Sequence, residues 1–287
     1  RRPVYEYVPL AKNDEAVVCQ YVMTTLEELG LLKMDFLGLR NLTVLDDALK
    51  MLQKHQPEFR LEEIPEEDPE TYEMLSRGQT SGVFQMESTG MTGVCIGLKP
   101  QNIEDITAII ALYRPGPMES IPRFIECKHH PENITYLHPS LQPILSNTYG
   151  CIVYQEQVIE IFRKLAGYSL GQADMVRRAI SKKKAAQIQR EKEAFLHGDA
   201  ERGICGCVNN GIPEQTAQDI YQQIYDFANY AFNKAHAVSY AVVAYQTAYF
   251  KCHYTKEYMA ALLTSVLDNS DKIAEYINEC RDCGIRL

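Results

Sequence analysis

The chain has 287 residues, 46% hydrophobic and 23% charged, a balance typical of folded globular proteins, with room for one large domain or two smaller ones. No apolar run approaches the ~20 residues that a membrane-crossing helix needs, and Arg1-Arg2-Pro3-Val4-Tyr5-Glu6 holds neither an initiator Met nor a hydrophobic leader. The net charge of −9 excludes a uniformly basic coat for nucleic acid, although the charge is unevenly spread. Both termini read as cut ends, as expected of a piece of a longer protein.

Taken in chain order, Leu32–Arg40 alternates, and the spacing predicts a strand with Lys33 and Asp35 on one face and Met34 and Phe36 on the other. Such a face can offer a metal ligand and a phosphate partner to one cleft, or simply be the solvated side of an edge strand. A helix follows, with Leu45, Ala48, Leu49 and Leu52 on its apolar face. Gln56 to Glu67 is an acidic connection. Asp68-Pro69-Glu70 starts the next helix, with an acidic cap and Pro at the first helical position, and Gly78 ends it. Gly82-Val83-Phe84-Gln85-Met86-Glu87-Ser88 is a Gly-led strand or turn whose composition implies no chemistry. Asn102 caps a helix carrying Ile103, Ile106 and Ile110. Tyr113-Arg114-Pro115-Gly116-Pro117 is a stiff loop, because its prolines restrict the backbone before them.

Ile152-Val153 reads as a buried strand or turn feeding a helix lined by Val158, Ile161, Phe162 and Leu165, with Gln155 and Gln157 where core residues are expected. Gly171–Lys184 is a basic helix in which Arg178 and Lys182 stand four apart beside Arg177. Like charges so close repel unless an anion is shared, and Arg offers a planar fork for phosphate; a solvated basic face is the plain alternative. Pro213 opens a helix with Ile220, Ile224 and Phe227. In Phe232-Asn233-Lys234-Ala235-His236-Ala237-Val238-Ser239-Tyr240, His236 and Tyr240 share a helix face that can stack on a base or simply pack. Ser270 caps a last helix with Ile273 and Ile277.

Charge is polarised along the chain. Asp46–Glu73 holds ten acids and three bases, a net of −7, whereas Arg163–Lys192 holds nine bases and two acids, a net of +7. The nine cysteines, without a leader, point to reduced thiols in the cytoplasm. Cys205-Gly206-Cys207 and Cys280-Arg281-Asp282-Cys283 lack the regular paired spacing of a zinc ribbon, so ordinary packing or surface thiols are expected there.

Read in order, Lys33–Leu39, Gly82–Ser88, Leu112–Pro117, Tyr149-Gly150 with Tyr154–Gln157, Ala173-Asp174 with Arg177-Arg178-Ala179 and Lys182–Lys184, and Phe232–His236 closely resemble the bacterial replicative DNA polymerase III alpha subunits, the C-family polymerases. The resemblance covers essentially the whole chain. It implies a mainly α fold: a small α/β edge, the last strand of a polymerase beta-like palm in residues 1–50, and a large all-helical fingers domain in residues 51–287. It implies template-directed transfer of a nucleotide from dNTP to a primer 3′-hydroxyl, with two Mg²⁺ ions. Asp35 matches the third catalytic aspartate and metal ligand. Arg177 and Arg178 match triphosphate contacts, Lys33, Lys182 and Lys183 are further phosphate candidates, and His236 and Tyr240 are neighbours of the nascent base pair. The upstream Asp-x-Asp pair of the family is missing from this sequence. Implied partners are primer–template DNA and, for the full-length protein, the sliding clamp and other replisome subunits, with no membrane. A helical nucleic-acid-binding module without catalysis, or a thiolate metal protein, is the alternative reading.

Overall fold

A computed structural model describes residues 2–32, 34, 38–181, 185–228 and 230–286. Two compact units divide between Leu39 and Arg40. The smaller contains an antiparallel hairpin, β1 (Leu10–Asn13) and β2 (Ala16–Cys19), paired from Leu10↔Cys19 to Asn13↔Ala16. Asp14 turns the corner at φ 51°, a left-handed conformation that Asp tolerates. α1 (Met23–Glu28) follows. The strand expected over Leu32–Arg40 falls partly outside the described residues, which exclude Lys33, Asp35, Phe36 and Leu37. Its described members Leu32, Met34, Gly38 and Leu39 are not in a strand, and Arg40 already opens a helix.

The larger unit is helical among its described residues: α2 (Arg40–Leu52), α3 (Pro69–Ser76), α4 (Thr89–Leu98), α5 (Ile103–Leu112), α6 (Ile121–His129), α7 (Gln142–Leu145), α8 (Gln155–Ala166), α9 (Leu170–Ser181), α10 (Ala185–His197), α11 (Glu214–Ala228), α12 (Lys234–His253), α13 (Thr255–Ser265) and α14 (Ser270–Asp282). The chain is thus mainly α with a small α/β edge. α2 runs across the boundary expected at residues 50 and 51 and packs on α12 and α13.

Local chemistry explains the starts. The Asp68 carboxylate accepts the Thr71 N–H at 2.9 Å, Pro69 supplies a preset φ, and the Asn102 Oδ1 accepts the Asp105 N–H at 2.9 Å. α14 is capped by Asn269, one residue before the expected Ser270, its Oδ1 accepting the Lys272 N–H at 3.1 Å. Tyr276 and Cys280 are its buried residues, while Ile273 and Ile277 are half-buried.

α12 is the axial element. It packs on α5, α13, α2 and α3; Tyr245 and Phe250 of α12 are buried, as are Leu45, Leu75, Ile106 and Tyr258 of those helices, and Tyr245 stacks on Tyr72 of α3 at 5.2 Å. A second core lies among α8, α9, α10 and α11, where Phe162 meets Phe195 edge-on at 5.0 Å and Tyr168 at 5.2 Å. Val158, Ile161, Phe162 and Leu165 are all buried there, as their spacing predicts.

Candidate functional site

Several of the sequence motifs converge at the N-terminal end of α12. Phe232, His236 and Tyr240 form a ladder of tilted rings, with centroids 5.5 Å apart at an interplanar angle of 54° for Phe232–His236 and 4.3 Å apart at 43° for His236–Tyr240. Arg114 caps one end, its guanidinium carbon 4.2 Å from the Phe232 centroid, and Phe84 closes the other, 5.2 Å from Tyr240. Arg114, Phe232, His236 and Tyr240, with Gln85, Glu87, Met91 and Tyr113, line an open cleft of about 480 Å³. A row of π faces ending in a cation suits a flat, π-rich ligand carrying negative charge.

The loops that build the cleft are fixed by specific contacts. In the Tyr113–Pro117 loop, Gly116 has φ 102°, and a Cβ there would lie 2.4 Å from the Tyr230 ring, so only Gly fits. Arg114 donates through Nε to the Ala111 carbonyl at 3.0 Å and through Nη2 to the Tyr230 carbonyl at 2.7 Å. Burial lowers its pKa, and it still remains a cation. Gly82–Ser88 is a turn rather than a strand, with Gly82 at φ 74° and Gln85 at φ 63°. The Glu87 carboxylate accepts the Gly82 N–H at 2.9 Å and the Tyr276 hydroxyl at 2.6 Å. Just before this turn, the Lys251 ammonium, 2% exposed, donates to the carbonyls of Gln79 (2.9 Å) and Ser81 (2.7 Å) and pairs with Glu279 at 2.6 Å.

Arg177 and Arg178 sit on α9 and do not line this cleft. Their mutual repulsion is already relieved inside the helix. Asp174 Oδ1 accepts from Arg177 at 2.8 and 3.0 Å, and Oδ2 pairs with Arg178 at 2.8 Å. The hydrogen bond from Arg177, helped by the charges of both guanidiniums, holds the Asp174 carboxyl below its ordinary 3.8 against the opposing effect of burial. The sharing anion that sequence reasoning sought outside the protein is therefore partly supplied from within. Arg178 remains 65% exposed and Arg177 only 14%. Lys33, Asp35, Lys182, Lys183 and Lys184 lie outside the described residues.

Among the described residues, Glu70, Cys252 and His253 offer ligand atoms within 4.8 Å of one another. The Asp68 carboxylate lies 2.8 Å from the His253 Nε2, a hydrogen bond at the end of α12 that occupies this ring nitrogen. Both cysteine pairs singled out in the sequence split between interior and surface: Cys207 and Cys280 are buried, Cys205 and Cys283 exposed. No helix among the described residues is long and apolar enough to cross a membrane.

Sequence reasoning gave Arg114, Gln85 and Glu87 no role. The Pro115-Gly116-Pro117 run after Arg114 marks a rigid turn, but nothing local says what that turn packs against.

Comparison with known proteins adds the following. The model of the bacterial DNA polymerase III alpha subunit finger domain matches residues 41–203, and that of the bacterial DNA polymerase III alpha NTPase domain matches residues 1–38. The DNA polymerase III subunit alpha of Thermus aquaticus is 48% identical over 290 residues, covering 99% of this chain and 23% of that protein. The protein of the same name from Bacillus subtilis (strain 168) is 47% identical over 287 residues, covering 99% of this chain and 25% of that protein. The one from Staphylococcus aureus (strain NCTC 8325 / PS 47) is 43% identical over 286 residues, with 99% and 26% covered. The chain thus spans about a quarter of the length of these curated relatives.

Proposed function

Because this chain belongs to the bacterial DNA polymerase III alpha subunit family, we propose that it serves template-directed DNA synthesis, contributing the nucleotide-binding fingers and one acidic metal ligand to nucleotidyl transfer. The observation that carries this reading is the meeting of three distant segments, Gln85–Ser88, Tyr113-Arg114 and Phe232–Tyr240, in one aromatic cleft. The ladder is the surface against which an incoming dNTP and its template partner stack, with His236 and Tyr240 facing the nascent pair. Arg177 and Arg178 are the triphosphate contacts. Their forks are pre-gathered by Asp174, and the exposed Arg178 turns first to phosphate. Lys182 and Lys183, and separately Lys33, are further candidate phosphate contacts.

On this reading the palm portion, expected over residues 1–50, carries Asp35, and the fingers, expected over residues 51–287, carry Arg177 and Arg178. Two Mg²⁺ ions would neutralise charge on the transferring and leaving phosphates and orient the primer 3′-hydroxyl. Mg²⁺ takes oxygen ligands, and the single carboxylate of the Lys33–Leu39 motif cannot hold two ions, so Asp35 is one member of a larger set. The sequence has no Asp-x-Asp pair, and the other carboxylates would come from elsewhere in the polymerase. Primer–template DNA and dNTP are the substrates, and contacts with the sliding clamp and replisome fall to the rest of the full-length protein. Nine free thiols fit a cytoplasmic enzyme.

The test is Asp35→Asn in the full-length polymerase. Extension should fall by several orders of magnitude while primer–template binding, read by fluorescence anisotropy, stays within about twofold. Extension at the unmodified rate would refute the assignment.

A further inference from the structure

His236 and Tyr240 of the aromatic ladder ride on α12, but Phe232 lies just before it and has no helical hydrogen bonds of its own to hold it in place. Around Phe232, the backbone groups are instead secured by a second segment, Val153-Tyr154-Gln155-Glu156-Gln157. The Phe232 N–H donates to the Val153 carbonyl at 3.0 Å, and the Gln155 N–H donates back to the Phe232 carbonyl at 2.9 Å, a single parallel bridge. The Gln155 side-chain amide donates to the Ala231 carbonyl at 3.1 Å. The Glu156 carboxylate accepts the Lys234 N–H, the first of α12, at 3.0 and 3.1 Å, and the Asn233 Nδ2 at 3.0 Å. That last bond fixes which way the Asn233 amide points, and its Oδ1 then caps the His236 N–H at 2.9 Å. A relay therefore runs from Glu156 through Asn233 to the backbone of His236.

Gln157 anchors the other side. It is 8% exposed and fully paired: Oε1 accepts the N–H groups of Val153 and Tyr154 at 2.9 Å each, and Nε2 donates to Thr148 Oγ1 at 2.7 Å and the Ile144 carbonyl at 3.3 Å. A buried polar side chain with every hydrogen bond made locks its surroundings into one arrangement.

We infer that Glu156 and Gln157 are positioning residues for nucleotide selection: Gln157 fixes the 153–155 segment, Glu156 fixes the start of α12, and together they hold Phe232, His236 and Tyr240 in register for the incoming base. This rests on the assignment of the cleft to the nucleotide. Neither side chain lines the cleft, so their effect passes through Asn233 and the Phe232 bridge. A carboxylate at position 156 also faces the positive end of the α12 dipole, which an amide would serve less well.

The experiment is single-nucleotide incorporation by the full-length polymerase carrying Glu156→Gln, Glu156→Ala, Gln157→Glu or His236→Ala. Loss of a charge-assisted hydrogen bond should raise the KM for dNTP about tenfold in Glu156→Ala and less in Glu156→Gln, with kcat within about threefold and primer–template affinity unchanged. A purely structural role would instead lower the active fraction and kcat with KM unchanged. Because Glu156→Gln keeps the shape and one acceptor oxygen, it reports on the relay even if the alanine variant fails to fold. If KM is unchanged in Glu156→Gln and Gln157→Glu while His236→Ala raises it, the relay is refuted and the cleft assignment stands. If His236→Ala also leaves KM unchanged, the cleft assignment falls and the relay with it.

Discussion

At the residue scale, charge and burial decide what each group can do. Arg178→Ala in the full-length polymerase should raise the KM for dNTP about tenfold to a hundredfold, because a charge-assisted bond is worth roughly 1.5–3 kcal/mol. Lys183→Ala should do less, since Lys is a point charge without the fork. A merely solvated pair would change nucleotide use little, as exposed ion pairs contribute about 0–1 kcal/mol. Unaltered KM in both Arg177→Ala and Arg178→Ala would reduce the cluster to a surface feature. Asp174 gives a pH check with a definite sign. Its folded pKa lies below 3.8, so the stabilisation from its Arg partners is present above that value and is lost as pH falls through the lower folded pKa. In Arg177→Ala the carboxyl should titrate closer to 3.8, as read by carboxylate NMR. The thiols offer a second reading. Burial pushes Cys95 and Cys207 up to about 12 and Cys151 up to about 11. With a colorimetric thiol reagent at pH 8, exposed Cys205 and Cys283 should react first and these three only on unfolding, when all nine should titrate.

At the scale of elements, one buried ion fastens three of them. Lys251 on α12 closes the turn before Gly82 and meets Glu279 on α14. Lys251→Ala should cost about 3–5 kcal/mol, measured by urea unfolding, because it strands a carboxylate and two carbonyls. A loss under 1 kcal/mol would show that water replaces the ammonium. The helices α2, α3, α5, α8, α9, α11, α12 and α14 are legible in the sequence, whereas α1, α4, α6, α7, α10 and α13 carry no local signal that singled them out. The caps at Asp68 and Asn102, and the buried faces of α2 and α8, follow from local chemistry that the rest of the fold does not override. Less was legible where partners are distant in sequence. The β1–β2 hairpin escaped notice because Ala16, Val17 and Val18 are all exposed and show no alternation. Ser270 was preferred to Asn269 as a cap because both are good caps and spacing cannot separate neighbours. His236 and Tyr240 were visible as a shared face, but Arg114 sits on their ladder only because the chain returns 118 residues later. The two glutamines of Tyr154–Gln157 looked misplaced because their partners, Ala231 for Gln155 and Ile144 and Thr148 for Gln157, lie elsewhere in the chain.

For the whole molecule, the missing Asp-x-Asp pair sets the expected outcome. The purified chain should not extend a primer at any Mg²⁺ concentration, and detectable metal-dependent extension would sink the reading of Asp35 as one ligand among several. The split cleft has a further consequence, in time rather than space. Its walls come from Gln85–Arg114 and Phe232–Tyr240, so the ribosome makes one wall well before the other. At roughly 5–20 residues per second, the 118 residues from Pro115 to Phe232 take about 6–24 s to synthesise. Throughout that interval the emerging chain carries Arg114 without its aromatic partner and the Gln79–Ser81 carbonyls without Lys251. On the proposed reading, the stacking surface of the cleft is therefore complete only once α12 has been made, and a chain terminated before residue 232 would carry Arg177 and Arg178 without it.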